Sequence, residues 1–179
     1  AELTQTADGR SVQPRQVRFG PDGNLYVTNL LIGQNGQEGN VLKFDGETGD
    51  FIADLAPVGT TSLSFPRGLD FGADGNLYVA SQNSGEILKI DPINGGVLSV
   101  FANNATIQAD PQYAGQTMRP TGILFGPNGN LFVSDRQTNS VIEFDGATGA
   151  LVDYFVPFGA GGLAFPIGID FDSNGDLYV

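Results

Sequence analysis

Asp70-Phe-Gly-Ala-Asp-Gly-Asn-Leu-Tyr-Val79 is one of four closely similar decapeptides in this chain, and the others lie at residues 18–27, 124–133 and 170–179. Their turn glycines stand 52, 54 and 46 residues apart, at Gly23, Gly75, Gly129 and Gly175. A repeat of about fifty residues fits one four-stranded blade of a β-propeller. The repeats therefore predict the architecture, although they do not predict an activity.

The local pattern favours strands over helices. The segments Leu25–Val27, Leu77–Val79 and Leu131–Val133 are short and rich in aromatic and β-branched residues, and Gly, Asn or Asp residues bound them. The chain contains 26 glycines and 10 prolines, which interrupt it too often for long helices. The sequence predicts an all-β protein, a β-propeller of four-stranded antiparallel blades with three full blades and half of a fourth.

The repeats also delimit the blades. We expect a closing outer strand and its lead-in at residues 1–13, full blades at 14–65, 66–119 and 120–165, and the first half of a blade at 166–179. Within the second blade, the strands A to D are expected at residues 68–72, 76–81, 86–91 and 96–101.

Two turns recur in these blades. The A-to-B link Gly20-Pro-Asp-Gly-Asn24 predicts a type I turn followed by a glycine with positive φ. The C-to-D link Asp45-Gly-Glu-Thr-Gly49 predicts an Asx turn, in which the aspartate side chain accepts hydrogen bonds from the following backbone. Both links are the short, regular connections of a repeated scaffold.

Antiparallel strand order places the connections on two faces. The A-to-B and C-to-D turns share one face, here the turn face, and the B-to-C and D-to-A loops share the other, here the loop face. The loop face carries the irregular segments, namely 28–40 with Asn29, 102–120 with Tyr113, and 157–165. Because variable loops on a rigid scaffold usually carry binding, we expect Asn29 and Tyr113 to contact a ligand or partner.

Three arginines flank the prolines that begin the inner strands. Arg15, Arg67 and Arg119 are therefore expected to ring the mouth of the central channel on the loop face. A guanidinium group recognises a carboxylate or phosphate through two parallel hydrogen bonds, so an anionic ligand is one interpretation. The alternative is that these arginines pair with neighbouring acids or carbonyl groups.

The units resemble the NHL-repeat and gluconolactonase-like group of β-propellers. The residues that carry the resemblance are Pro66–Val79 and Val133–Phe144, with a proline and glycine before strand A, a hairpin glycine, Asp135 after strand B and Asn139 before strand C. The resemblance implies a propeller fold. It also implies that Asp135 and Asn139 tie down the B-to-C loop, with a ligand-binding role as the alternative.

The resemblance implies less about activity, because fold does not specify function. Gluconolactonase-like enzymes hold a channel metal partly through an Asn where an inner strand begins, and the matching positions here are Arg67, Thr121 and Ile167. Virginiamycin B lyase, a related propeller, relies on His, and this chain has none. Whether the chain is an enzyme stays uncertain, and these departures favour a non-enzyme.

The last repeat contains a candidate calcium loop. Asp170, Asp172, Asn174 and Asp176 provide oxygen ligands at alternate positions, with Gly175 at a sharp turn. The same segment is the fourth copy of the A-to-B hairpin, so an ordinary polar turn explains it as well. Calcium is the one cofactor that the sequence suggests.

Composition narrows the function classes. The 20 acidic and 8 basic residues give a net charge of −12, which disfavours nucleic-acid binding. The absence of Cys and His excludes disulfides, thiolate zinc sites and His-based catalysis from this stretch. No apolar run is long enough to span a membrane. A first residue other than Met suits a mature chain after signal-peptide removal, as well as a trimmed one, and we expect a secreted or periplasmic protein.

Three and a half blades do not close a ring, since propellers have about four to eight blades. Residues 1 to 5 resemble the end of a D strand, because Leu3 aligns with Leu55 and Phe155. We expect a part of a ring of about six blades. The alternatives are closure by a second chain and a self-closed ring of four blades.

These observations predict an extracytoplasmic binding or scaffold module that acts through its loop face on a protein, glycan or small molecule. A metal-dependent hydrolase or lactonase with ligands in further blades is one alternative. The other is a structural protein that forms homo-oligomers or filaments by strand exchange.

Overall fold

The computed structural model describes residues 13–31, 38–60 and 62–179. The described residues form three four-stranded antiparallel sheets and a two-stranded fourth, in the order of their strands along the chain. This is the partial β-propeller that the repeats predict. The expected closing strand at residues 1 to 5, including Leu3, lies outside the described residues.

Each full blade contains four strands that pair with their sequence neighbours. The strands are β1 (Pro14–Phe19), β2 (Leu25–Leu31), β3 (Glu38–Phe44), β4 (Phe51–Ala56), β5 (Pro66–Phe71), β6 (Leu77–Ser81), β7 (Glu86–Ile90), β8 (Val97–Asn103), β9 (Pro120–Phe125), β10 (Leu131–Asp135), β11 (Ser140–Phe144), β12 (Leu151–Val156), β13 (Asp170–Phe171) and β14 (Leu177–Tyr178). Strands β1, β5, β9 and β13 are the inner A strands.

The structure confirms both predicted turns. In the first A-to-B turn, Gly23 has φ +78° and its N–H donates to the carbonyl of Gly20. In the first C-to-D turn, the Asp45 carboxylate accepts from the backbone N–H of Thr48 at 2.8 Å. The two turns touch, because a Cβ on Gly46 would lie 1.8 Å from the Gly23 carbonyl oxygen. Only glycine fits there.

One aromatic contact repeats between successive blades. The ring on strand B of one blade meets edge-to-face the phenylalanine on strand A of the next, with centroids 4.9 to 5.1 Å apart. The pairs are Tyr26–Phe71, Tyr78–Phe125 and Phe132–Phe171. Buried aliphatic side chains such as Leu77 and Leu131 fill the space between the sheets. Blades therefore stack through an edge-to-face pair and an aliphatic layer.

The second blade departs from the expected bounds at both ends. Its inner strand begins at Pro66, two residues earlier than expected, because Pro66 already pairs with Ser81 across an irregularity in the register. Its outer strand runs from Val97 to Asn103 instead of from 96 to 101. It extends because Asn103 accepts from the Thr106 N–H and caps the helix that follows.

The D-to-A connection after β8 carries the helix α1 (Asn104–Gln108) and a 3-10 turn (Pro111–Tyr113). Ile107, Tyr113 and Met118 from this connection are buried in the same cluster as Tyr154 of β12. The connection is thus packed against the third blade. In the described parts of the chain, no helix has the length and apolar character needed to cross a membrane.

Candidate functional site

The described inner strands enclose a recess of about 220 Å³ at the mouth of the channel, here the channel recess. Two arginines, two strand glycines and Gly168, which precedes β13, contribute to it. Its lining residues are Arg15, Gln16, Arg67, Gly68, Thr121, Gly122, Ile123, Ile167, Gly168 and Ile169. The backbone at Gly122 can approach the Ile167 carbonyl oxygen closely because glycine has no side chain. A Cβ at this position would lie 2.4 Å from that oxygen. The recess is therefore formed by rigid backbone and by the side chains at its rim.

The fold holds Arg67 at both its backbone and its side chain. Its carbonyl oxygen accepts from the Thr28 hydroxyl of the preceding blade, which fixes the start of β5. Its guanidinium carbon lies 4.5 Å from the centroid of the Phe65 ring, and that of Arg15 lies 5.9 Å from the same centroid. Phe65 thus supports two guanidinium groups through cation–π contacts. The φ of Phe65 is +57°, which is uncommon for a bulky residue.

The two arginines of the channel recess have no carboxylate partner among the described residues. Within the described ranges, the ion pairs join Arg18, Lys43 and Lys89 to aspartates, and none involves Arg15 or Arg67. Burial lowers the pKa of Arg67, and the positive charges of Arg15, Arg136 and Arg119 lower it further. These guanidinium groups repel one another, so a bound anion would relieve an electrostatic cost that the scaffold carries.

A buried amide lies beside Arg67. The Nε atom of Arg67 donates to Gln82 Oε1 at 3.4 Å, which is a long hydrogen bond. Gln82 is buried, and its Nε2 has no hydrogen-bond partner in the described structure. An unsatisfied buried donor is costly, and a ligand oxygen at this position would satisfy it. Gln82 gave no signal in the sequence, because it lies in a B-to-C loop that does not repeat its residue types.

Arg119 and Arg136 lie near this mouth but outside the residues that line the channel recess. Arg119 donates from Nη2 to Asn83 Oδ1 at 3.2 Å, and Arg136 lies over the Phe165 ring at 5.3 Å. Sequence reasoning missed Arg136, although its position directly after Asp135 could have revealed it. Four of the eight basic residues in the chain, Arg15, Arg67, Arg119 and Arg136, therefore contribute positive charge to this region of the loop face.

Asn29 and Asp135 are both fully buried and hold the chain where inner strands begin. The Asn29 side chain accepts from the Gln13 N–H and donates to Asn40 Oδ1 at 2.9 Å. The Asp135 carboxylate accepts from the Arg119 N–H and from the Thr138 hydroxyl at 2.6 Å. Burial raises the pKa of Asp135, against the lowering effect of its hydrogen bonds from Thr138. Both side chains thus position the loops that carry the arginines.

Tyr113 lies away from the channel recess, in the connection that packs against the third blade. Its ring is stacked on that of Tyr154, with centroids 3.9 Å apart and planes inclined by 30°. Sequence reasoning selected Tyr113 but not Tyr154 or Phe158, because residues of different blades and loops meet there only in the folded structure.

The candidate calcium residues form a fourth copy of the A-to-B turn. Asp172 Oδ1 accepts from the N–H groups of Asn174 and Asp176, each at 2.9 Å, and Oδ2 accepts from Asn174 Nδ2 at 3.3 Å. The backbone turn is the one made in the second blade, since the Gly175 N–H donates to the Asp172 carbonyl as the Gly75 N–H donates to the Gly72 carbonyl. No group of three or more Asp or Glu side chains in the described residues is arranged to hold a metal ion.

Comparison with known proteins supports the fold. No family model and no curated protein matches the chain. Solved structures do match, including a gluconolactonase from Xanthomonas campestris, with 20% identity and a TM-score of 0.67 over 98% of this chain and 56% of that one. The extracellular domain of a two-component system protein from B. thetaiotaomicron matches with 15% identity and a TM-score of 0.67, over 98% of this chain and 21% of that one.

Regucalcin from Agrobacterium tumefaciens, a calcium-binding protein, matches with 15% identity and a TM-score of 0.61, over 87% of this chain and 48% of that one. At these identities the likeness establishes the fold alone, which is that of a β-propeller. The chain spans about half the length of the gluconolactonase and of regucalcin.

Proposed function

We propose that this chain is part of an extracytoplasmic β-propeller module that binds a small anionic ligand at the mouth of its channel, on the loop face. The observation that carries the proposal is that Arg15 and Arg67 line the channel recess without a carboxylate partner among the described residues. The likeness to the extracellular domain of a two-component system protein supports the location.

The channel recess offers specific chemistry for an anion. Phe65 orients two guanidinium groups, each of which can donate two parallel hydrogen bonds to a carboxylate or phosphate. Gln82, which accepts from Arg67 Nε, adds an unpaired buried amide nitrogen beside Arg67, outside the residues that line the channel recess. The chain has a net charge of −12, and many of its aspartates lie in the turns of the opposite face. The arginines therefore form a local positive site in an acidic protein.

A metal-dependent hydrolase is the second candidate, favoured by the similarity to the gluconolactonase fold. The residues at the channel mouth do not fit a metal there, because Arg15 and Arg67 are cations and Ile167 has no donor atom. This alternative therefore requires ligands other than those that the described inner strands bring together.

The experiment is calorimetric titration of the chain with inorganic phosphate and with citrate, repeated at several ionic strengths that are each held constant during the titration. We expect saturable binding that weakens as salt increases, because part of the attraction is electrostatic. Arg67→Gln should abolish it. Arg67→Lys should weaken it by about tenfold, because lysine keeps the charge but loses the paired donors.

Lys89→Gln is the control variant, since it removes one positive charge from the turn face. It should bind both anions as the parent does. Equal affinity of the parent and Arg67→Gln, or no saturable binding of either anion, would contradict the proposal.

A further inference from the structure

A second recess lies at the rim of the third blade, where the connection after β8 packs against β12. It measures about 400 Å³, within the range of about 300–1,000 Å³ that is typical of ligand pockets. Its lining residues are Gln112, Tyr113, Asp153, Tyr154, Pro157 and Phe158, and we name it the rim recess. It shares no lining residue with the channel recess.

The rim recess has an aromatic wall. Tyr113 and Tyr154 are stacked, and Phe158 meets Tyr154 edge-to-face with centroids 5.1 Å apart. Tyr113 and Tyr154 are buried, whereas the Phe158 side chain is 46% exposed. The rim recess therefore presents an accessible phenyl ring that packs against two buried tyrosines.

The Tyr154 hydroxyl is buried and has no hydrogen-bond partner in the described residues. Burial raises the pKa of Tyr154, and the negative charge of Asp135 raises it further, so the hydroxyl keeps its proton at neutral pH. A buried donor without an acceptor is unfavourable. Tyr154 lines the rim recess, and a ligand oxygen that reached its hydroxyl from there would remove this cost.

Beside the Tyr113 hydroxyl, the rim recess contains two further acceptors. Gln112 uses its Nε2 to donate to the Tyr113 hydroxyl at 2.8 Å, so its carbonyl oxygen stays available as an acceptor. Asp153 Oδ1 accepts from the Tyr154 N–H at 2.7 Å, and a carboxylate has further acceptor sites. The charges of Asp153 and Asp110 both act on Tyr113 and disfavour an anion here.

A neutral sugar matches each of these features. A pyranose ring has an apolar C–H face for Phe158, hydroxyl groups that donate to Asp153 and Gln112, and oxygens that accept from Tyr154. An ammonium ligand would suit the aromatic ring and the carboxylate, but it has no oxygen for the Tyr154 proton. We propose that the rim recess binds a neutral sugar ring, and that Phe158 and Tyr154 are its principal contacts.

The test uses the full chain labelled with 3-fluorotyrosine, because its five tyrosines give separately assignable ¹⁹F signals. Glucose, galactose, mannose, N-acetylglucosamine and tetramethylammonium chloride are titrated one at a time. We expect saturable shifts of the Tyr113 and Tyr154 signals with at least one sugar, and no shift of Tyr26. A shift with tetramethylammonium alone, or no saturable shift with any sugar, overturns the proposal.

Two variants, each with a matched control, test the contacts. Tyr154→Phe should lower the affinity by about tenfold while leaving the melting temperature unchanged or higher, because it removes the unpaired hydroxyl. Tyr178→Phe, at an exposed ring outside the rim recess, should change neither. Phe158→Ala should abolish binding, and Phe155→Ala, in the same segment but outside the rim recess, should preserve it. Equal effects within either pair would overturn the assignment.

Discussion

Lys43 Nζ lies 2.8 Å from Asp22 Oδ2, joining strand C of the first blade to its A-to-B turn. The second blade repeats the ion pair, with Lys89 Nζ 2.6 Å from Asp74 Oδ2. In the third blade the lysine position is occupied by a glutamate and the aspartate position by an asparagine, and Asn128 Nδ2 donates to Glu143 Oε1 at 2.9 Å. In the third blade a hydrogen bond thus replaces the ion pair, with a neutral amide in place of the aspartate and a carboxylate in place of the lysine.

The first prediction exchanges one version of this link for the other. Lys89→Glu alone should destabilise the protein, because it places two carboxylates together. Adding Asp74→Asn should recover part of the loss, with a coupling energy of about 0.5–1 kcal/mol in a double-mutant cycle. Urea unfolding of the four proteins measures it, and strictly additive effects would refute the interpretation.

The second prediction concerns pH. Burial alone would raise the pKa of Asp74, but hydrogen bonds from Lys89, Asn76 and Tyr78 outweigh it and hold the pKa well below its ordinary value. Asp22 behaves in the same way through Lys43. A carboxylate with a lowered folded-state pKa stabilises the protein fully above its unfolded pKa of about 3.9, and this contribution is lost as pH falls through the folded value.

The stability advantage of the parent over Asp22→Asn/Asp74→Asn should therefore be largest near neutral pH and should shrink below about pH 4. Burial raises the pKa of Asp70 and of Asp135, so their contributions to stability have the opposite pH dependence. The parent and the variant share these contributions, which therefore cancel in the difference. Thermal unfolding across this range provides the measurement, with Glu47→Gln as an exposed control. A difference that does not vary with pH would refute it.

The third prediction concerns the layer between blades. Leu77 and Leu131 are 0% exposed, so Leu77→Ala or Leu131→Ala should each lower the free energy of unfolding by about 2–5 kcal/mol. Ile93→Ala, at a side chain that is 82% exposed, should remain within about 0.5 kcal/mol of the parent. Chemical denaturation compares them, and a similar small change in all three would show that the strands are wrongly assigned.

The fourth prediction uses two glycines of the channel recess. A Cβ at Gly122 would lie 2.4 Å from the Ile167 carbonyl oxygen, whereas a Cβ at Gly168 would meet nothing within 4 Å. Gly122→Ala should cost about 1–3 kcal/mol and Gly168→Ala less than about 0.5 kcal/mol. The midpoints of urea unfolding report both, and equal midpoints would mean that the inner strands do not approach so closely.

The fifth prediction addresses calcium. Because Asp172 already accepts turn hydrogen bonds through both oxygens, we expect a chelator to leave the melting temperature unchanged. Asp172→Ala should instead lower it with or without calcium, because the turn loses its acceptor. A melting temperature that falls with chelator in the parent, but not in Asp172→Ala, would favour the calcium loop.

The sequence specified the repeated features because each depends on neighbouring residues. Gly23 and Asp45 lie in turns whose geometry is local, and their conformations follow from residue type. Arg67 could be placed at the channel mouth because the proline before it begins an inner strand. The unpaired amide of Gln82 and the unpaired hydroxyl of Tyr154 could not be foreseen, because hydrogen-bond satisfaction in the core depends on residues distant in sequence.

The edge-to-face pairs between blades leave two rings unmatched. Phe19, the strand A phenylalanine of the first blade, is 65% exposed, and Tyr178, the strand B ring of the half blade, is 61% exposed. Each is one half of a contact made three times elsewhere in the chain. A blade that continued the ring on either side would repeat this contact by bringing an aromatic ring to Phe19 and a phenylalanine to Tyr178, and it would bury both rings.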